Sequence, residues 1–404
     1  MVKRVKLAIV SDLHIGYERF YEDAYTQAKE ALDMASAAAD AVLLPGDIFD
    51  RRNPKPEVIA QAVNLFRDLK EKKWNARVSE FRSTRGAKAY TDIPIIAIPG
   101  THERTMEGRE NPISVLALAG LLIDTSEATS IIEKDGERVS VFGMGGLSEE
   151  TTKEKISSVP KPDDLFSIFM FHQSIYELLP FNDHFIHLED LPAGFDLYID
   201  GHIHNKIIEK VHEKELLIPG STVLTQLKES EQESKGFFVY DTETRKYEFK
   251  KINSRPFVFL DLEFKDATPE LFSSRAEMEI EKIIKSNSTK PIIKLRIKGN
   301  IMKGFKSIDM PARALRSKFL DSAFLEIDMS KLADIETQES IEELREGKFG
   351  NMSVKEMGIS LFSSKLRESN MESKINYIEL FNVLSTNKKE TALKEAMELF
   401  ENVR

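Results

Sequence analysis

The sequence predicts a layered α/β domain followed by a compact β-α-β module and a charged helical tail. Brief apolar runs alternate with helical patterns over the first 254 residues, and several of those runs end abruptly in a Pro-Gly turn. After about Asn253 the pattern changes, and at 404 residues the chain exceeds the roughly 100–200 residues of one domain. The expected division is 1–254, 255–331 and 332–404.

Leu7-Ala8-Ile9-Val10, Ala41-Val42-Leu43-Leu44, Ile93 to Ile98, Phe166 to Phe171 and Leu197-Tyr198-Ile199 are short, apolar and sharply bounded, as buried strands should be. Between the first two, Phe20, Ala24, Ala28, Ala31, Leu32 and Ala35 repeat at helical spacing. Two of the strands, and the later Leu216-Leu217-Ile218, run into Pro45-Gly46, Pro99-Gly100 and Pro219-Gly220. These turns place the residues that follow at strand ends, where α/β folds carry their chemistry.

Helices are expected over Pro56 to Lys70 and Ile113 to Leu122, with Val58, Ala62, Leu65, Phe66, Leu116 and Leu118 packing mostly on the sheet. Lys72 to Asp92 is polar and without period, which reads as a surface excursion. Phe257 to Phe264, Ala276 to Lys285 and Ile292 to Ile297 make the β-α-β module. From about Leu332 the chain reads as helical and charged. Asn387 with Glu390 resembles a capping box, and Leu393, Ala396, Met397 and Phe400 form one apolar stripe.

Composition narrows the chemistry. With 41% hydrophobic and 31% charged residues and no apolar run near the roughly 20 needed to span a bilayer, the chain reads as soluble, without signal peptide, and cytoplasmic. The absence of cysteine leaves His and carboxylates as the only plausible side-chain ligands for a transition metal. A net charge of −10 argues against coating nucleic acid by bulk charge, although a local basic track stays open.

Asp12 and His14 stand two apart just after a strand, so in an extended segment their side chains leave on one side and can grip one ion. A lone D-x-H is usually a surface turn. Gly46-Asp47-Ile48-Phe49-Asp50 repeats the design after a second strand, and a carboxylate such as Asp47 can bridge two cations where a neutral imidazole cannot. Gly100-Thr101-His102-Glu103, His172 and Gly201-His202-Ile203-His204 follow three further strands. Five of the eight histidines thus fall just beyond strands, which together with Asp12 and Asp47 makes a purely structural set improbable. His184, His187 and His212 have no such context and read as surface or packing residues.

The ordered set D-x-H, G-D-x-x-D, G-x-H-E, H and G-H-x-H resembles the calcineurin-like metallophosphoesterase superfamily over roughly the first 250 residues. Val10 to Gly16, Pro45 to Asp50 and His172-Gln173-Ser174 look like the Mre-eleven (bacterial SbcD-type) DNA-repair nucleases. The resemblance implies a layered metallophosphoesterase β-sandwich flanked by helices, a small α+β capping domain for DNA, and a helical segment that binds a Rad-fifty-type ABC ATPase. It also implies a homodimer built through the helices after the second and third motifs, and association with the nucleoid. It assigns Asp12, His14, Asp47 and His204 to one metal and Asp47, His172 and His202 to another, with His102 contacting the scissile phosphate.

Two positions depart from the family pattern. Thr101 stands where an Asn ligand is usual, and Asp50 where related nucleases often carry a His. Two Mn²⁺ per subunit suit the thiolate-free set, with Fe²⁺ and Zn²⁺ as alternatives. Arg51, Arg52, Arg104, Arg109 and Lys206 flank the motifs and are candidates for flanking phosphates, the plain alternative for each being solvated surface. A metallophosphatase of small nucleotides, or a weakened scaffold of the same fold, stays open beside the nuclease.

Overall fold

The structure, a computed structural model, describes residues 4–83, 91–105, 109–162, 164–179 and 186–334, with 356 and 359. The capping box and apolar stripe expected between Asn387 and Phe400, and His184, lie outside the described residues. By the density of its internal contacts the chain divides into two units, Met1–Leu260 with Ile280–Leu295 and Lys318–Glu326, and Asp261–Glu279 with Arg296–Ser317 and Ile327–Arg404.

The elements run β1 (Lys6–Ile9), α1 (Tyr21–Ala38), β2 (Ala41–Pro45), α2 (Pro56–Lys70), β3 (Arg77–Ser83), β4 (Ile95–Ile98), α3 (Pro112–Leu118), β5 (Ile123–Asp124), β6 (Ala128–Lys134) and β7 (Glu137–Met144). There follow α4 (Glu149–Ile156), β8 (Phe166–Phe171), β9 (Leu197–Asp200), β10 (Ile207–Val211), β11 (Lys214–Ile218), β12 (Gly236–Asp241) and β13 (Lys246–Lys251). The last are β14 (Phe257–Ala267), α5 (Pro269–Ser286), β15 (Ile292–Ile301), α6 (Ala312–Lys318) and β16 (Phe324–Asp334), whose three strands form a sheet of order β14-β15-β16. The predicted β-α-β module is present, with a third strand added.

The first unit holds two sheets, ordered β13-β12-β1-β2-β4-β5 and β10-β11-β9-β8-β7-β6-β3. In the first, β1, β2, β4 and β5 are parallel, and in the second β7, β8, β9 and β11 are. Parallel strands bury both faces and need apolar side chains on each. Leu7, Ile9, Leu43, Ile96 and Ile98 therefore meet Val139, Val141, Ile168, Met170, Leu197 and Ile199 in a core between the sheets. The alternate residues Ala8, Val10, Val42, Leu44 and Ala97 face Ala28, Ala31 and Ala35 of α1 and Ala62, Leu65 and Phe66 of α2. The small residues on α1 let the helix lie close to the sheet.

Three expectations need correction. Within Lys72 to Asp92, read as an excursion, Arg77–Ser83 is an edge strand paired antiparallel with β6, from Arg77↔Glu133 to Ser83↔Ala128. Of its side chains only Val78 is buried, so no apolar alternation marks it. The helix expected to run to Leu122 stops at Leu118, because Gly120 takes φ 67 and closes the end with Leu121 N donating to Leu116 O at 3.1 Å. Leu118, expected to pack, is 65% exposed. The β6–β7 hairpin, which no expectation covered, turns at Asp135-Gly136, whose φ values of 51 and 83 suit a two-residue turn of the kind Asp-Gly favours.

Candidate metal centre

The backbone just past the parallel strands is what brings the side chains together. Asp12 follows β1, Asp47 follows β2 and Thr101-His102 follow β4; His172 follows β8, and His202 and His204 follow β9. Asp12, His14, Asp47 and His202 adopt φ values of 51, 46, 50 and 69. That left-handed region is strained for residues with a Cβ and persists where surrounding structure fixes it, commonly at functional sites. Backbone bonds do the fixing here: Asp12 N donates to Gly46 O at 3.2 Å and His14 N to Asp47 O at 3.0 Å. At Gly100 a Cβ would lie 2.1 Å from Asp47 Oδ1, and at Gly201 it would lie 2.1 Å from Pro45 O. Both positions admit only glycine if the turns are to approach this closely.

Three groups of donor atoms result, each within 4.8 Å of one another: Asp12, His14 and His204; Asp47, His172 and His202; and His14, Asp50 and His102. The first two gather residues that the resemblance implies for one metal each, except that Asp47 falls with the second alone. Thr101 stands among the second group, its hydroxyl 3.4 Å from Asp47 Oδ2, 3.5 Å from His172 Nε2 and 3.4 Å from His202 Nδ1.

Three of the imidazoles are oriented from behind. His172 Nδ1 donates to Pro45 O at 2.7 Å, which turns Nε2 toward Asp47 Oδ2, 3.3 Å away. His202 Nε2 lies 2.8 Å from Ser174 Oγ, and His204 Nδ1 contacts Thr225 Oγ1. His204 Nε2 then lies 3.1 Å from His14 Nε2 and 3.8 Å from Asp12 Oδ1. One nitrogen held by the protein and the other presented to a carboxylate is the donor arrangement a cation requires of histidine, so these residues fit a pair of N/O-ligated divalent ions. His102 differs in being half-exposed: its Nδ1 lies 2.6 Å from Asp50 O, and Asp50 Oδ1 stands 3.4 Å from His14 Nδ1.

The electrostatics match a site short of positive charge balance. Burial pushes the Asp47 carboxyl up, but the charge and hydrogen bond of His172, with His14 and His102, outweigh it and hold Asp47 below the ordinary range. Burial pushes His172 down, yet Asp47 and Asp12 raise it to about 10. Burial and the charge of His172 lower His202 to about 4, and burial, His14 and Lys235 push His204 well down. Burial thus disfavours charge on His202 and His204, whereas at His172 the neighbouring Asp47 and Asp12 outweigh it.

Sequence reasoning missed several supports. Glu103, fully buried, accepts from Phe49 N at 2.7 Å and Gly100 N at 2.8 Å, tying the second and third motifs together; burial and Asp47 raise its carboxyl to about 8. Asp200 accepts from Gln173 N at 3.0 Å, and burial lifts it well above the carboxylate range. Thr225 lies a few residues beyond Pro219-Gly220, the turn that already marked a strand end.

The flanking cations are less uniform. Arg51 pairs with Glu18 at 2.9 Å, and Lys206 pairs with Glu233 at 3.4 Å while lying over the Phe249 ring. Arg52 and Arg109 are exposed and Arg104 is half-buried. His187 pairs with Glu177 at 2.9 Å, and His212 bonds Leu191 O at 2.8 Å. Among the described residues, no helix is long and apolar enough to cross a membrane.

The family described as calcineurin-like phosphoesterase matches residues 5–206, half of the chain and all of the clustered side chains. The chain belongs to that family. It is accordingly a metal-dependent hydrolase of phosphoester bonds. Among curated proteins it is 26% identical over 320 residues to "DNA double-strand break repair protein Mre11" of Sulfolobus acidocaldarius, covering 74% of this chain and 76% of that one. The protein of the same name from Methanopyrus kandleri is 26% identical over 276 residues, 61% of this chain but only 57% of its own length. That from Methanocaldococcus jannaschii is 23% identical over 346 residues, covering 81% and 86%.

Proposed function

We propose that this member of the calcineurin-like phosphoesterase family is a DNA nuclease acting in double-strand-break repair. The observation that carries the reading is the pair of buried N/O clusters with half-exposed His102 beside them, in a chain similar over about three-quarters of its length to archaeal repair proteins. Asp12, His14 and His204 would hold one cation, and Asp47, His172 and His202 the other, with Asp47 as bridge and Thr101 at the margin of the second. Mn²⁺ is the cation we assign, with Fe²⁺ and Zn²⁺ as the alternatives an N/O set allows. When bound, the ions supply charge neutralisation and an activated water for in-line attack at phosphorus. His172, which Asp47 and Asp12 favour in its charged form, would have to be neutral to hold a cation, since imidazole ligates only when neutral. His102, its Nδ1 engaged by Asp50 O, leaves Nε2 to meet the phosphate and protonate the departing oxygen. Arg52, Arg104 and Arg109 hold flanking phosphates; Arg51 and Lys206 must first give up their carboxylate partners. Double-stranded exonuclease and single-stranded endonuclease action are both assigned on the same footing.

Thr101 tests the reading against its rivals. A hydroxyl is a shorter and poorer ligand than an amide oxygen, so Thr101→Asn is expected to tighten the second cation by about tenfold and to leave DNA cleavage equal or raised. The measurement compares Mn²⁺-dependent cleavage of double-stranded DNA with hydrolysis of an aryl phosphodiester. A parent and a Thr101→Asn protein that are both silent on DNA favour the scaffold, and activity on the aryl ester alone favours a small-molecule phosphodiesterase.

Residues 255–331 are assigned as the cap for DNA and 332–404 as the segment that docks on an ABC-type ATPase. Deleting 347–404 should abolish co-purification with the ATPase while leaving cleavage, and retained binding rules the docking out. A homodimer through α3 is supported by Val115 and Leu118, which are 47% and 65% exposed. Light scattering should give twice the chain mass; a monomer at micromolar concentration removes the dimer.

A further inference from the structure

Behind His204 lies an ion pair that the chemistry above does not use. Lys235, just ahead of β12, and Glu231 are 7% and 4% exposed. The Lys235 ammonium donates to His204 O at 3.1 Å, Ser221 Oγ at 3.0 Å and Glu231 Oε2 at 3.1 Å, which occupies all three of its N–H groups. Glu231 in turn accepts from Gln226 N at 2.9 Å and Thr225 N at 3.4 Å. The segment it holds is the one whose Thr225 hydroxyl contacts His204 Nδ1. The same segment touches the other side of the cluster, with Thr222 N donating to Asp12 O at 3.3 Å and Tyr17 Oη donating to Thr225 O at 2.8 Å.

A buried ion pair is a poor way to gain stability, because an apolar pair of similar volume often does as well or better. What it supplies instead is fixed direction. Here one pair grips both the main chain of His204 and the loop that carries the hydroxyl behind its ring.

We propose that Lys235 and Glu231 are positioning residues for the cation site of Asp12, His14 and His204, acting through Thr225 and the His204 main chain to set the imidazole's orientation. The proposal rests on the two-cation reading above. Loss of such outer partners typically weakens metal affinity by about 10–100-fold.

Calorimetric titration of Mn²⁺ into the metal-stripped full chain tests it, with circular dichroism to confirm folding. The parent should take up two cations. Thr225→Val, and Lys235→Met combined with Glu231→Gln, should each weaken one of the two by about 10–100-fold and leave the other near its parental value, while Thr225→Ser restores binding. Adding Thr225→Val to the double variant should cost little more, because all three residues act along one path. A folded double variant with parental affinity at both positions overturns the proposal, as does equal weakening of both, which a merely loosened fold would produce. Should the double variant not fold, Glu231→Gln alone is judged by the same criteria. A parent that binds no cation removes the metal reading together with this one, whereas two cations bound alike in parent and variants removes this one only.

Discussion

His102→Ala lowers phosphodiester cleavage by on the order of 10²–10⁴-fold, the usual contribution of a positioned general acid, and leaves cation uptake unchanged. The factor corresponds to about 2.7–5.5 kcal/mol of transition-state stabilisation. The expectation follows from what His102 does and does not touch. Its backbone N–H donates to Asp47 Oδ1 at 2.9 Å, a bond that alanine keeps. Its ring is the half-exposed one and is anchored through Nδ1 to Asp50 O, so truncation removes a group facing solvent rather than a wall of either inner cluster. Single-turnover cleavage beside calorimetric cation stoichiometry checks both halves. Loss of one bound cation in the variant would instead make His102 a ligand of the third group, with His14 and Asp50.

Gly201→Ala is expected to cost about 3 kcal/mol of folding stability, the upper end for a forced methyl in a packed interior. The added Cβ would sit 2.1 Å from Pro45 O and 2.6 Å from His172 Nδ1, the two atoms that hydrogen-bond one another at 2.7 Å. Neither neighbour is a flexible chain end, so the strand ends of both sheets must part. Gly136→Ala is the control: nothing lies within 4 Å of its Cβ, and only the penalty of φ 83 remains, about 1 kcal/mol. Denaturant unfolding separates them. Equal midpoints for the two variants would mean that the turn yields without strain, and would remove close approach as the reason for glycine at 201.

How far the sequence led depended on whether a residue's role is written in its neighbours. The parallel strands β1, β2, β4, β8, β9 and β11 were legible because burial on both faces demands largely apolar runs, as in Ala41 to Leu44, whereas β5 and β7 were not read. The ligand candidates were legible because each follows such a run at a short, fixed spacing. Edge strand Arg77–Ser83 was not, since a strand with one neighbour and mostly half-buried side chains need not alternate. Gly120 was passed over although a glycine in that place is a helix stop. The supports of the cluster were hidden for another reason: Ser174, Thr225 and Lys235 reach His202 or His204 across 28, 21 and 31 residues of chain, Glu231 bonds Thr225 and Lys235, and no local pattern distinguishes them from surface polar residues. Asp50 was visible as a departure from the family, but its contact with both His14 and His102 exists only in the folded chain.

The two inner clusters share a property of assembly. Asp12 and His14 come from the sheet built on β1 and β2, and His204 from the sheet built on β8 and β9; Asp47 and the pair His172 and His202 divide the same way. Neither half of the sandwich contains a complete set for either inner cluster, whereas the third group, His14, Asp50 and His102, comes wholly from the first sheet. Either sheet alone therefore offers only fragments of each inner cluster. The architecture thus makes the two inner clusters a property of the closed sandwich rather than of either sheet.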